Sequence, residues 1–147
     1  MLIAIFIIVA TVVGMELFSW AIHKYLFHGI LWRIHKTHHG KKKGWFELND
    51  IFSLSFALTA IFLMITGRNN LDFYFWIGAG ITLYGVIYFV FHDVFMHNRF
   101  KSFKTNNSYL LRIRRAHKIH HKSLEKNPSE SFGLLYVSKK YQVQAKN

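Results

Sequence analysis

The sequence predicts an all-α protein: an integral membrane helical bundle of three or four spans with a small helical cap at one face. Three observations predict it. The chain has 147 residues, of which 52% are hydrophobic and 18% aromatic, yet it carries a formal charge of +12. That combination is explained when apolar residues gather in lipid-spanning stretches and basic ones in the loops between them. The apolar residues do fall into three runs, at about 2–22, 48–66 and 73–91. Finally, all ten histidines sit in four clusters in matched order, and the chain has no cysteine.

The first run, Leu2 to Ile22, holds 21 residues with Glu16 as its single charge. As a helix it rises about 31 Å, enough to cross a bilayer core. It lacks a basic leader and a small-residue cleavage site and continues directly into the first histidine pair, so it reads as a retained span. The second run is short, and a mismatch of a few Å is cheap. Gly67-Arg68-Asn69-Asn70-Leu71-Asp72 is a turn-rich link joining it to the third in a helical hairpin. Phe73-Tyr74-Phe75-Trp76 reads as an aromatic belt at the outer interface. Gly78, Gly80 and Gly85 in the third run read as close-packing positions in preference to a substrate groove.

Lysine and arginine counts orient the chain. Residues 23–50 carry six, the hairpin link carries only Arg68, and the tail after His97 carries the other twelve. The positive-inside rule places the N-terminus outside and the segments 23–50 and 92–137 in the cytoplasm. The whole chain, 1–147, is then one membrane domain with every histidine cluster on one side. Its positive charge serves topology and anionic headgroups, and no nucleic-acid partner is expected.

His23 and His28 form an H-x4-H pair, and His35, His38 and His39 an H-x2-H-H triplet. His92 with His97, then His117, His120 and His121, repeat both spacings. Neutral imidazole is the commonest protein ligand for Zn, Cu, Fe and Ni. Positions i, i+3 and i+4 share one helix face, so each triplet can aim three rings at one centre, or two at one metal and one at its neighbour. Positions i and i+5 lie about 140° apart on an ideal helix. Those pairs need a π-bulge, a fraying helix end, or a geometry that straddles the site. A lone histidine here would read as an interfacial side chain. Ten in repeated order predict a dimetal site, with about five rings per metal and positions left open for a small molecule such as O2. The expected metals are two iron ions, with zinc an alternative in isolated protein. No separate acid or base is assigned.

Candidate partners for these rings are Glu16, Asp50 and Asp93. Glu16 precedes His23 by seven residues and shares its helix face, as a hydrogen-bonding partner or a lipid-facing carboxylate. Asp93 adjoins His92. For Asp50 the favoured role is structural, since Asn49-Asp50 before Ile51 reads as a helix N-cap. Asn127-Pro128-Ser129 reads as a turn, and the polar tail from Ser138 as mobile.

The pattern resembles the membrane superfamily of fatty acid hydroxylases, desaturases and alkane hydroxylases. Met15-Glu16, Trp20, His23-Lys24-Tyr25, His28-Gly29 and Trp32, then His35-Lys36-Thr37-His38-His39, resemble the opening of bacterial β-carotene 3-hydroxylases. Glu47 with Asn49-Asp50, His92-Asp93 through His97, Ala116 to His121, and Ser131 to Tyr136 are similar as well. Asn98 to Phe103 and Lys122 depart from the family pattern, at positions that bear on substrate preference and not on the histidines. The resemblance implies O2-dependent hydroxylation of β-carotene at C3 of each ring, giving zeaxanthin through β-cryptoxanthin. It also implies a carotenoid substrate, an external electron donor such as a ferredoxin-like protein, and a place in a bacterial inner membrane. The alternatives are a sterol or fatty acyl hydroxylase or desaturase, and a non-enzymatic metal- or haem-binding membrane protein. Histidines crowded at one surface argue against haem held within the spans.

Overall fold

The computed structural model describes residues 1–40, 44, 46–99, 104–127 and 130–143. Every element among them is helical. Helix α1 (Leu2–Ala21) runs without interruption into a π-helical segment, Ile22–Ile30. The chain leaves helical geometry at Gly29 (φ −105°, ψ −118°), and α2 (Trp32–His39) follows. Helices α3 (Asp50–Gly67) and α4 (Phe73–Tyr88) form the hairpin, and α4 continues as a second π-helical segment, Phe89–Met96. Helix α5 (Ser108–His120) and a 3₁₀ turn at Lys139–Tyr141 complete the cap. Three helical stretches are long and apolar enough to cross a membrane: Leu2–Ile30, Asp50–Gly67 and Phe73–Met96.

Helix α4 is the middle span, packed on α3 along one side and on α1 along the other; α1 and α3 come nowhere within 8 Å of each other between Cα atoms. Two glycines make those contacts. A Cβ on Gly78 would stand 2.7 Å from the Ala60 carbonyl oxygen of α3, and one on Gly80 would stand 2.6 Å from Thr11 Cβ of α1. Gly85 is different. A Cβ there meets nothing within 4 Å, because it faces the gap between α1 and α3. The expected packing role thus holds for Gly78 and Gly80, and Gly85 lines a cleft.

The hairpin link closes on Asp72, whose carboxylate accepts from the amides of Tyr74 and Phe75 to cap α4. Asn107 caps α5 in the same way, accepting from Tyr109 and Leu110. The N-cap role expected of Asn49-Asp50 is corrected. Asn49 occupies the cap position but gives no side-chain cap bond. Asp50 instead accepts from the Glu47 amide at 3.0 Å, as the returning half of a capping box does.

The packed core lies in the cap, where Phe95 and Met96 meet Ile113 and Ala116 of α5 and Leu134, Val137 and Tyr141 of the tail. The tail from Ser138 was expected to be mobile; its residues 138–143 are anchored there, with Tyr141 4% exposed and Arg115 donating to the Gln142 carbonyl at 3.1 Å, while residues 144–147 lie outside the described residues. An apolar ring among polar neighbours outweighed the segment's overall polarity. Lys41 to Lys43, the stretch from Phe100 to Phe103, and the turn at Pro128-Ser129 lie outside the described residues.

Candidate metal centre

The ten histidines converge as two groups of five: His23, His28, His35, His39 and His120 in one, His38, His92, His97, His117 and His121 in the other. Within a group each residue offers one ligand atom, and these all lie within 4.8 Å of one another. The groups abut, with the His39 and His121 rings stacked at 4.4 Å between centroids.

Local backbone explains which ring goes where. A π-helix bonds i to i+5, which brings residues five apart onto one face. The His97 amide donates to the His92 carbonyl at 2.9 Å, across that very spacing. Of the three geometries open to the H-x4-H pairs, both take the π-helical one. In each H-x2-H-H triplet the i and i+4 rings stay with their own pair, and the middle ring crosses over. His38 joins the group built from the chain's second half, and His120 joins the group built from its first.

The first group shows how the rings are held. His23 Nδ1 donates to the Phe132 carbonyl at 3.0 Å, His28 Nδ1 to that of Lys126 at 3.2 Å, and His39 Nδ1 to that of Ser123 at 2.9 Å. His120 Nδ1 donates to the Glu130 carbonyl at 2.9 Å, and His35 Nδ1 to Asn49 Oδ1 at 2.8 Å. Oxygen acceptors fix the proton on Nδ1 and leave Nε2 with a bare lone pair. In the second group, His38 Nδ1 donates to the Glu47 carboxylate at 2.7 Å.

The Nε2 atoms then face one another: His23 and His35 at 3.1 Å, His39 and His35 at 3.2 Å, His28 and His120 at 3.3 Å. In the second group, His38 and His92 stand at 3.1 Å, and His97 and His117 at 2.7 Å. His121 Nε2 is buried with no hydrogen-bond partner. In the first group, where oxygen acceptors hold the proton on Nδ1, lone pairs at this range repel unless a cation lies between them. A proton does not serve, because burial lowers His35 to about 2, His120 to about 3 and His39 to about 4. The spacing does suit a metal ion: two ligands at right angles, each about 2.0–2.1 Å from the ion, stand about 3 Å apart. The donor set fits two metals.

The expected carboxylate partners lie one step further out. Asp93 Oδ1 is 3.7 Å from His92 Nδ1, beyond hydrogen-bond range, and pairs with Arg99 at 3.3 Å. Arg99 also forks onto both Asp50 oxygens, at 3.2 and 3.0 Å, and so ties the second π-helical segment to the start of α3. Glu16 accepts hydrogen bonds from the Tyr84 hydroxyl and the amides of Leu134, Leu135 and Tyr136, and none from a histidine is seen among the described residues. The residues that do hold histidines by side chain, Asn49 and Glu47, were not expected in that role. Two signals marked them: both follow the first triplet by a short loop as polar groups of the right acceptor type, and both lie among the residues that carry the family resemblance.

A cavity of about 650 Å³ opens between α1, α3 and α4. Its walls are mostly apolar, with Asn49, Asp50, Asp93 and Arg99 among the lining, and it is also lined by His23 and His35 of one group and His92 and His117 of the other.

A sequence model of the fatty acid hydroxylase family matches residues 8–137, a stretch that contains all ten histidines. The chain belongs to that family. Within it, the chain is 39% identical over 140 residues to a beta-carotene hydroxylase of Pantoea ananas, covering 95% of this chain and 80% of that one. It is 38% identical over 146 residues to a beta-carotene hydroxylase of Pseudescherichia vulneris, covering 99% and 83%. A chloroplastic beta-carotene 3-hydroxylase 2 of Arabidopsis thaliana is 38% identical over 118 residues, covering 77% of this chain and 39% of that one. No solved structure matches the chain.

Proposed function

We propose that the protein hydroxylates β-carotene at C3 and C3′ of its two rings, giving zeaxanthin by way of β-cryptoxanthin. It is a hydroxylating oxidoreductase. The observation that carries the reading is the mostly apolar cavity between the spans, which is lined by rings of both histidine groups. A polyene hydrocarbon dissolves in the bilayer and needs such a path to bring a ring to the membrane face.

The ten histidines are the ligands, five to each metal, and the metals are iron. Two iron ions supply the O2 and electron chemistry that side chains lack for an unactivated C–H bond. Each hydroxylation would consume one O2, two protons and two electrons, the electrons supplied by a soluble carrier, ferredoxin-like in kind, with one oxygen atom entering the product and the other leaving as water. The chain's own residues bind, orient and exclude. Phe56, Ala57, Ala60 and Gly85 shape the apolar walls. Phe27, stacked on Phe52 at 4.2 Å and 5.2 Å from the His35 ring, fixes the inner end of the cleft. The hydrogen bonds from Nδ1 lock His23, His28, His35, His38, His39 and His120 with Nε2 inward, which limits the reorganisation those rings undergo in turnover. The centre faces the cytoplasm of a bacterial inner membrane, within reach of the carrier.

Expression in cells that accumulate β-carotene, followed by pigment chromatography, tests the reading. Zeaxanthin with transient β-cryptoxanthin is the expected result. Unchanged β-carotene beside a folded, iron-loaded protein overturns it.

A further inference from the structure

Glu16 lies deep in α1, where a carboxylate is costly to hold among lipid and tends to be retained for a purpose. All its partners are donors. Oε1 accepts from three successive amides, those of Leu134 at 3.2 Å, Leu135 at 2.8 Å and Tyr136 at 3.2 Å. Oε2 accepts from the Tyr84 hydroxyl at 3.0 Å. Consecutive amides aimed at one oxygen form an anion-holding concavity. It is built for this purpose at Gly133, where a Cβ would stand 2.5 Å from the Tyr136 carbonyl oxygen. Only glycine lets that turn close with its amides facing α1.

The same segment carries two of the carbonyls that orient histidines. Glu130 accepts from His120 and Phe132 from His23. Between them Ser131 is left-handed (φ 64°), a conformation that a non-glycine residue keeps only where its surroundings hold it. The histidine bonds on one side and the Glu16 bonds on the other supply that hold. His23 and His120 come from opposite halves of the chain and belong to the same group of five. The other group is held elsewhere, with His38 on Glu47.

We propose, on the reading of the two groups as metal sites, that Glu16 is a positioning residue for one metal and not the other. By clamping residues 130–136 onto α1, it sets the carbonyls that keep His23 and His120 aimed at the first site. It touches neither metal nor substrate. Without it the strap lifts, both rings lose their Nδ1 acceptors, and affinity at that one site falls by about 10- to 100-fold, the usual cost of losing such partners.

The test is metal content per chain after iron loading in detergent and dialysis against a chelator. The parent retains two. Glu16→Ala retains one, and Glu16→Gln, whose amide oxygen accepts the same three N–H groups, returns to two. Gly133→Ala, which leaves α1 untouched, also retains one and carries the test if Glu16→Ala does not accumulate. Combining Gly133→Ala with His97→Ala removes both. Two metals, or none, in Glu16→Ala or Gly133→Ala overturns the proposal, as does one metal in Glu16→Gln. A parent that binds no metal overturns the dimetal reading instead, so the two failures are distinguishable.

Discussion

Asn49 and Glu47 hold histidines by different means. Asn49 offers His35 a neutral amide oxygen, whereas Glu47 offers His38 a carboxylate. A carboxylate on Nδ1 raises the donor strength of Nε2, so the two sites differ in charge although each has five imidazoles. Loss of either partner is expected to lower metal affinity or turnover by about 10- to 100-fold. Asn49→Ala weakens the first site and Glu47→Ala the second, and chelator competition on each variant reads which. Equal weakening of both sites by either change would refute the assignment. The titrations set a pH dependence with a definite sign. His35, His120 and His39 are lowered by burial to about 2, 3 and 4 in the folded chain, against about 6.5 when unfolded. Below about pH 6.5 the unfolded chain therefore binds more protons than the folded one, and stability falls as pH drops toward those values. Glu47, held below its usual range by the hydrogen bond from His38, acts in the same direction. Melting of metal-free protein in detergent is expected at lower temperature at about pH 5 than at about pH 7; a flat or rising profile would contradict it. At this scale the sequence named, by type and spacing, every ring that the structure gathers into the two groups of five. It did not reveal the acceptors, because four of the first group's five are backbone carbonyls, which leave no residue signature.

The elements resolve what spacing left open. On an α-helix His23 and His28 diverge; the π-helical continuation of α1 brings them together, and that of α4 does the same for His92 and His97. Few side-chain preferences mark a π-helix, so the sequence posed the problem without selecting the answer. The crossing of His38 and His120 was open for the same reason: i+3 and i+4 both lie on the facing side, and only tertiary placement divides them. The glycines of α4 show how one residue type serves two ends. Gly78→Ala and Gly80→Ala drive a methyl into Ala60 and Thr11 and are expected to cost about 1–3 kcal/mol, the usual range for overpacking. Gly85→Ala is expected to fold as the parent does, since its Cβ meets open space. A larger side chain there intrudes on the cleft: Gly85→Phe should keep its melting temperature yet lose up to about 100-fold in β-carotene turnover, the cost of displacing a reacting bond by about 1 Å. Full activity in Gly85→Phe would show that substrate does not pass this point.

At the scale of the whole molecule, the two halves of the chain each bring an H-x4-H and an H-x2-H-H, and each lends one ring to the other's site. Neither group of five is complete without both halves, so closing the cap and assembling the two groups are one event. Of the three or four spans expected, three helices long and apolar enough to cross a membrane are present among the described residues, and these were legible from hydropathy because lipid demands long apolar helices whatever their neighbours. The anchored tail was not, since its hold depends on Tyr141 reaching a core that forms only after folding. Orientation remains the reading of charge. Six Lys and Arg lie in residues 23–50 and twelve follow His97, against Arg68 alone in the hairpin link, and on that count we propose that the cap side faces the cytoplasm. The chain has no cysteine, which makes it suited to single-site labelling. Asn70 and Lys118 are both exposed, one in the link and one on α5. In intact spheroplasts a membrane-impermeant maleimide should modify Asn70→Cys and spare Lys118→Cys, which becomes reactive only on lysis. The reverse pattern would place the histidine groups outside, away from any cytoplasmic electron carrier, and would overturn both the topology and the electron supply built on it.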